Sequence, residues 1–280
     1  MNGKMLGRIL KDAIIKKLSS SGYIHNFYLY KYQGNKLKIL LTVCHCFFSR
    51  KALLTEKSFV DYDENQWFDE NEILEKLMSY DVVSFDVFDT LLFRKVSKPT
   101  EVFSLVEKKT GCRGYAQIRV ESEKEARAIM RKQVGSEEVS LRDIYLAPPL
   151  VHLANASQLM VEELKMEKNV CCANNDLQEI VNILVGKGKT VIAVSDMYLP
   201  KSEIQRLLEY NGYRGFTDIY VSCEYGASKS TGTIFRIVKE KIDSATSICH
   251  IGDNFYSDIM AQKNKIDKAI QYVFAHCLVK

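Results

Sequence analysis

Apolar positions along the chain follow two patterns that alternate. Continuous apolar runs occupy Asp81–Phe85, Lys189–Asp196, Asp218–Ser222, Ser247–Ile251 and Ala269–Phe274, and several end on an acid or a hydroxyl. Val- and Ile-rich runs of this length read as buried strands. Apolar residues recur at helical spacing in Glu70–Met78, Thr100–Lys109, Leu141–Leu146, Ser157–Lys168, Asp176–Val185, Lys201–Glu209 and Thr233–Lys241, while Glu121–Gln133 is rich in good helix formers. Pro99 and Pro200 mark helix starts, Pro148-Pro149 a stop, and Asn211-Gly212 a helix end. Strands alternating with helices predict an α/β fold, a parallel sheet with helices on both faces. Between the first two strands the chain is helical for roughly 80 residues, far beyond an ordinary βα connection of a few residues. An insertion of this size predicts a small second domain above the sheet.

The first 75 residues differ in character. Met5, Leu6, Ile9, Leu10, Ala13, Ile14 and Leu18 form one helical face, with Lys4, Arg8, Lys11, Lys16 and Lys17 on the remainder. Such a helix either packs on its own domain or docks on a partner or an anionic membrane surface. Tyr23–Tyr32 and Leu37–Phe48 fit a strand or a buried helix equally, and the acidic stretch Asp61–Glu72 reads as a linker.

The 280 residues, 46% hydrophobic and 26% charged, suit one large globular domain or two small ones. The net charge of +4 says little about partners. The longest apolar run, Ile39–Phe48, is about half of the roughly 20 residues a membrane span needs, and Lys11, Lys16 and Lys17 interrupt any secretory core. Eight cysteines are scattered without paired CxxC knuckles, which argues against zinc and for reduced thiols in the cytoplasm.

Ligands of an open α/β sheet bind beyond the carboxyl ends of its strands. Asp86 alone is a weak signal there, because strands often end on Asp for turn reasons. It gains weight from Ser195 after the second strand, Lys229 in the loop after the third, and Asp253 with Asp258 after the fourth. Asp86, Asp253 and Asp258 can share a hard cation through oxygen, Mg²⁺ being the usual occupant of so small a site. Ser195 and the Lys229 ammonium can hold phosphoryl oxygens. Gly252 is expected to permit a tight turn at Asp253. Thr90 and Asp196 are candidate substrate contacts, with a turn role as the alternative for Asp196. Tyr198 can face the substrate, His250 reads as a satisfied core histidine, and Arg94 as a surface arginine or a contact to a substrate anion.

Four segments in order resemble the motifs of the haloacid dehalogenase (HAD) superfamily: Phe85-Asp86-Val87-Phe88-Asp89-Thr90-Leu91, Val194-Ser195, Lys229 with Gly232, Ile234 and Phe235, and Gly252-Asp253-Asn254-Phe255-Tyr256-Ser257-Asp258. The resemblance covers about residues 80–275. It implies a Rossmann-like core at 76–95 and 186–280, a mobile helical C1 cap at 96–185, and a basic N-terminal extension at 1–75 of open fold. It implies an aspartyl-enzyme intermediate on Asp86, with the backbone carbonyl of Phe88 joining Asp86, Asp253 and Asp258 around Mg²⁺. The run FDVFDTLL with the later SDMYL is similar to HAD-like proteins encoded beside bacterial polysaccharide glycosyltransferases.

One position departs from the pattern. HAD phosphatases carry a second Asp two residues after the nucleophile as general acid and base, and here that position is Phe88. Asp89 can replace it only if the loop bends. The resemblance therefore implies a Mg²⁺-dependent cytoplasmic hydrolase, a phosphatase for a small phosphorylated metabolite such as a sugar or polyol phosphate. One alternative is an enzyme attacking carbon, as dehalogenases do. The other is a non-catalytic HAD-fold module that works with a glycosyltransferase or touches the inner membrane through its basic N-terminus. Nucleic acid is not an expected partner.

Overall fold

In the computed structural model, which describes residues 70–136, 138–243, 245–261 and 266–271, the apolar run after Asp81 becomes the central strand of a parallel sheet. The elements expected before residue 70 lie outside the described residues. In chain order the elements are α1 (Glu70–Met78), β1 (Val82–Phe85), β2 (Leu92–Arg94), α2 (Glu101–Thr110), α3 (Tyr115–Val134), α4 (Leu141–Leu146), α5 (Ala156–Val170), β3 (Cys171–Ala173) and α6 (Asn175–Gly186). They continue as β4 (Thr190–Ser195), α7 (Lys201–Tyr210), β5 (Asp218–Val221), α8 (Ser222–Tyr225), α9 (Thr233–Ile242), β6 (Ile248–Gly252) and β7 (Lys268–Gln271). A one-turn 3₁₀ helix at Leu150–His152 and a π-helical segment at Phe255–Met260 complete them.

The sheet runs β5-β4-β1-β6-β7, all parallel. Side chains of alternate residues leave opposite faces of a strand. Val83 and Phe85 join the core containing α1, α6 and α7, whereas Val82, Ile192 and Val194 pack with Ile234, Phe235 and Val238 of α9. Both faces are thus covered, which is why the strands read as unbroken apolar runs. From β1 the chain builds outward through β4 and β5, then returns to build β6 and β7 on the other side. That reversal puts a crevice at the carboxyl end of β1.

The helical insertion lies between β2 and β3, a short antiparallel pair with Phe93 opposite Cys172. This ladder was not expected, since the sequence after Leu92 reads as helical. Three-residue strands are too short to show a period. The second insertion helix also begins earlier than expected, at Tyr115, because Gly114 takes φ 81 and turns the chain into it. The ladder closes the insertion at its base and brings α5 beside the loop after β1.

Candidate active site

Register assembles the site. Phe85 pairs with Ala193 on one side and Ile251 on the other, so Asp86, Ser195 and Asp253 leave the same edge of the sheet. The Asp86 amide donates to the Ile251 carbonyl at 2.8 Å, extending the ladder by one residue and fixing the direction of its side chain.

The Lys229 ammonium joins two of the acids. It donates to Asp86 Oδ1 at 2.5 Å and to Asp258 Oδ1 at 2.6 Å, and all three groups are buried. Burial pushes the Asp86 carboxyl up to about 7 against the opposing charge of Lys229. Burial opposes ionisation of Asp258 too, yet Lys229 and His250 hold that group below the usual carboxylate range. The Lys229 ammonium is likewise disfavoured by burial, but Asp86 and Asp258 keep its pKa raised.

Thr90 binds the other side of the acid pair. Its hydroxyl lies 3.4 Å from Asp86 Oδ2 and 3.3 Å from Asp253 Oδ1, and accepts the Asp253 amide at 3.1 Å. Asn174, buried at the start of α6, donates its side-chain amide to the Thr90 carbonyl at 2.9 Å, and the Tyr213 hydroxyl donates to the Leu91 carbonyl at 2.8 Å. The loop bearing Thr90 is thus anchored from two other elements.

Oxygens of Asp86, Asp253 and Asp258 lie within 4.8 Å of one another. An all-oxygen set of three acids around one lysine fits a small hard cation. Burial, with the nearby charges of Asp258 and Asp89, raises the Asp253 pKa, a repulsion that a cation would relieve. The Phe88 carbonyl accepts no hydrogen bond among the described residues, so it too is open to a cation. The three acids therefore fit a small divalent cation such as Mg²⁺.

Ser195, expected to meet a phosphoryl oxygen, is buried at the end of β4, and its hydroxyl has no hydrogen-bond partner among the described residues. The Asp196 carboxylate accepts the Lys229 backbone amide at 2.7 and 3.0 Å, a contact across 33 residues that holds the loop that aims the ammonium. Gly252 differs from expectation. Its φ is not positive, and a Cβ there would collide with the Asp258 carboxylate, so glycine serves close approach instead of a turn. Asp89 is exposed at φ 61, where the chain reverses to bring its amide to the Leu92 carbonyl at 2.8 Å. His250 is satisfied as expected, with Nδ1 2.8 Å from the Ser84 hydroxyl, but its Nε2 is 3.4 Å from Asp258 Oδ1, which makes it a neighbour of the site.

The insertion contributes residues that the sequence reading passed over. Glu163 and Glu167 lie buried on one face of α5 with Leu159. Glu163 accepts Arg119 Nε and Nη2, both at 2.8 Å, and the hydroxyls of Tyr115 and Tyr145 at 2.7 and 2.8 Å. The Arg119 guanidinium also lies 4.7 Å from the ring centroid of Tyr198, in the loop after β4. Glu167 accepts Arg94 Nε at 2.5 Å, and the Arg94 guanidinium lies 4.0 Å above the Phe88 ring. The signal was present as two acids at i and i+4 within an apolar stripe, at positions where a buried helix face ordinarily carries apolar residues.

No family model matches the chain, and neither does any curated protein. Among solved structures it is similar to a 2-haloacid dehalogenase from Pseudomonas syringae pv. Tomato, at 18% identity over 69% of this chain and 86% of that one, with a TM-score of 0.47. It is similar to L-2-haloacid dehalogenase from Xanthobacter autotrophicus at 14% identity, over 71% and 81% of the two chains, with a TM-score of 0.47. A HAD family enzyme from Bacteroides thetaiotaomicron, solved with magnesium and inorganic phosphate, aligns at 14% identity over 71% and 98%, with a TM-score of 0.41.

Proposed function

We propose that this protein is a Mg²⁺-dependent hydrolase of the HAD type that moves a phosphoryl group from a small molecule to Asp86 and then to water. The observation that carries this reading is the Lys229 ammonium set between Asp86 and Asp258 at the carboxyl edge of the sheet. A carboxylate that must attack an anionic phosphoryl group needs positive charge beside it. Asp86 is the nucleophile, and Lys229 and the unpartnered Ser195 hydroxyl bind the phosphoryl oxygens. Thr90 orients Asp86, and Asp196 orients Lys229 through its backbone. Asp86, Asp253, Asp258 and the Phe88 carbonyl would hold the cation, which supplies charge neutralisation between nucleophile and phosphate. The helical insertion excludes water and selects the substrate as a cap. Attack on carbon is the second reading, favoured by Phe88 in place of an acid; the acidic cluster speaks against it, because that reaction has no use for a metal.

Phosphate release from a panel of sugar, polyol, aryl and acyl phosphates, with and without Mg²⁺ and beside Asp86→Asn, tests the reading. The expected result is metal-dependent release that the variant lacks. Absence of release from every member, with Mg²⁺ still bound, would refute it.

A further inference from the structure

The Arg94 side chain is only 8% exposed, yet of its guanidinium nitrogens only Nε has a protein partner among the described residues, Glu167. Both terminal nitrogens are without one. A buried guanidinium with unpaired donors is unusual, since buried polar groups are almost always satisfied. It stacks on Phe88, two residues past Asp86, and lies within electrostatic reach of Tyr198 in the loop after β4. It therefore sits on the loop that follows the candidate nucleophile, with unused donors for an anion.

In-line attack by Asp86 puts the leaving group on the far side of phosphorus, away from the sheet. The loop that follows Asp86 carries Phe88, which has no proton to give, and stacked on its ring is Arg94, which does not release one. Asp89 is exposed and turned at the loop reversal, while Thr90 beside it faces the carboxylates.

On the reading under "Proposed function", we propose that Arg94 binds the departing group through its terminal nitrogens, and that the substrates are phosphoryl compounds whose leaving group needs no proton, the acyl phosphates foremost. The Asp86 carboxylate oxygen forms a bond to phosphorus as the bond from phosphorus to the substrate's acyl oxygen breaks. The electron pair stays on the departing carboxylate, which Arg94 receives as an anion. Water then attacks phosphorus, the Asp86 carboxylate leaves with its electron pair, and both protons of water end on the released phosphate as dihydrogen phosphate, which passes one to solvent near neutral pH. Both halves expel a carboxylate, so neither asks for a general acid. Sugar and polyol phosphates, which expel an alkoxide, are poor substrates in this scheme.

The test is the rate of phosphate release with Mg²⁺ for acetyl phosphate, glycerol phosphate and a series of aryl phosphates of graded phenol acidity. The expected result is rates that rise steeply as the leaving group becomes less basic, with acetyl phosphate far ahead of glycerol phosphate. Phe88→Asp installs a proton donor and should raise glycerol phosphate turnover by about 10²-fold or more. Arg94→Lys, which keeps a charge for Glu167, should lower acetyl phosphate turnover on the order of 10–100-fold while leaving thermal melting close to wild type. A flat dependence on leaving group, or glycerol phosphate turnover that disappears in Asp89→Asn, would overturn this inference and leave the hydrolase reading standing. Failure to turn over any member would overturn both.

Discussion

Lys229 Nζ lies 2.5 Å from Asp86 Oδ1, a contact made across 143 residues of sequence. The same ammonium is 2.6 Å from Asp258, so one buried cation answers two buried anions. Removing it takes the lysine's positive charge away from two buried acids. Lys229→Met is expected to destabilise the fold by about 3–5 kcal/mol, to be partly rescued by Mg²⁺, and to lower turnover about 10²-fold or more. Urea unfolding with and without Mg²⁺, beside phosphate release, checks both parts.

Gly252 stands against Asp258 with no room for a methyl group. Gly252→Ala is expected to displace the carboxylate, at a stability cost of about 1–3 kcal/mol from overpacking. The larger effect should be on metal affinity, because a ligand moved by a fraction of an ångström no longer closes the site. Calorimetric titration with Mg²⁺ should show binding weakened at least tenfold while the protein stays folded.

Arg119 and Glu163 form a buried pair inside the insertion, with Tyr115 and Tyr145 completing the acceptor set of Glu163. Arg119→Met alone strands the buried Glu163 and should cost about 3–5 kcal/mol, whereas Glu163→Leu leaves Arg119 paired with Glu123 at 3.1 Å and should cost less. The double variant removes both charges and should be more stable than either single one. Denaturant midpoints for the four proteins of the cycle decide this.

Asp81 ties the start of β1 to β6, accepting the Ser247 hydroxyl at 2.6 Å and the Ser247 amide at 2.9 Å. These bonds, the hydroxyl foremost, hold its carboxyl below the usual range. A lowered folded pKa gives stability that is present above the unfolded value near ~3.9 and is lost as pH falls through the folded one. Asp81→Asn should therefore trail wild type at about pH 5 and approach it as pH drops toward about 3. Melting temperatures across that window test the sign.

Much of this fold was legible because buried parallel strands and amphipathic helices write different periods into the chain. The runs around Val83, Ile192, Tyr220 and His250 became β1, β4, β5 and β6, with ends within one or two residues of those expected. The acids and Lys229 were legible as candidates because each follows an apolar run. What the sequence hid depends on tertiary contact. No local pattern says that Asp196 grips the Lys229 amide, that Gly252 makes room for Asp258, or that Arg94 lies buried on Phe88. The β2–β3 ladder was too short to leave a period, and Glu163 and Glu167 looked like surface acids until α3 and β2 supplied their arginines. The elements read in residues 1–69 lie outside the described residues, as do the last positions of the expected fifth strand.

The central claim is that Asp86 accepts the phosphoryl group. The most direct measurement is acid quenching of the protein during turnover of acetyl phosphate with Mg²⁺, followed by peptide mapping by mass spectrometry. The account predicts a phosphoryl group on the peptide containing Asp86, absent in Asp86→Asn. Turnover that proceeds with no adduct, or with the adduct on another residue, would contradict it.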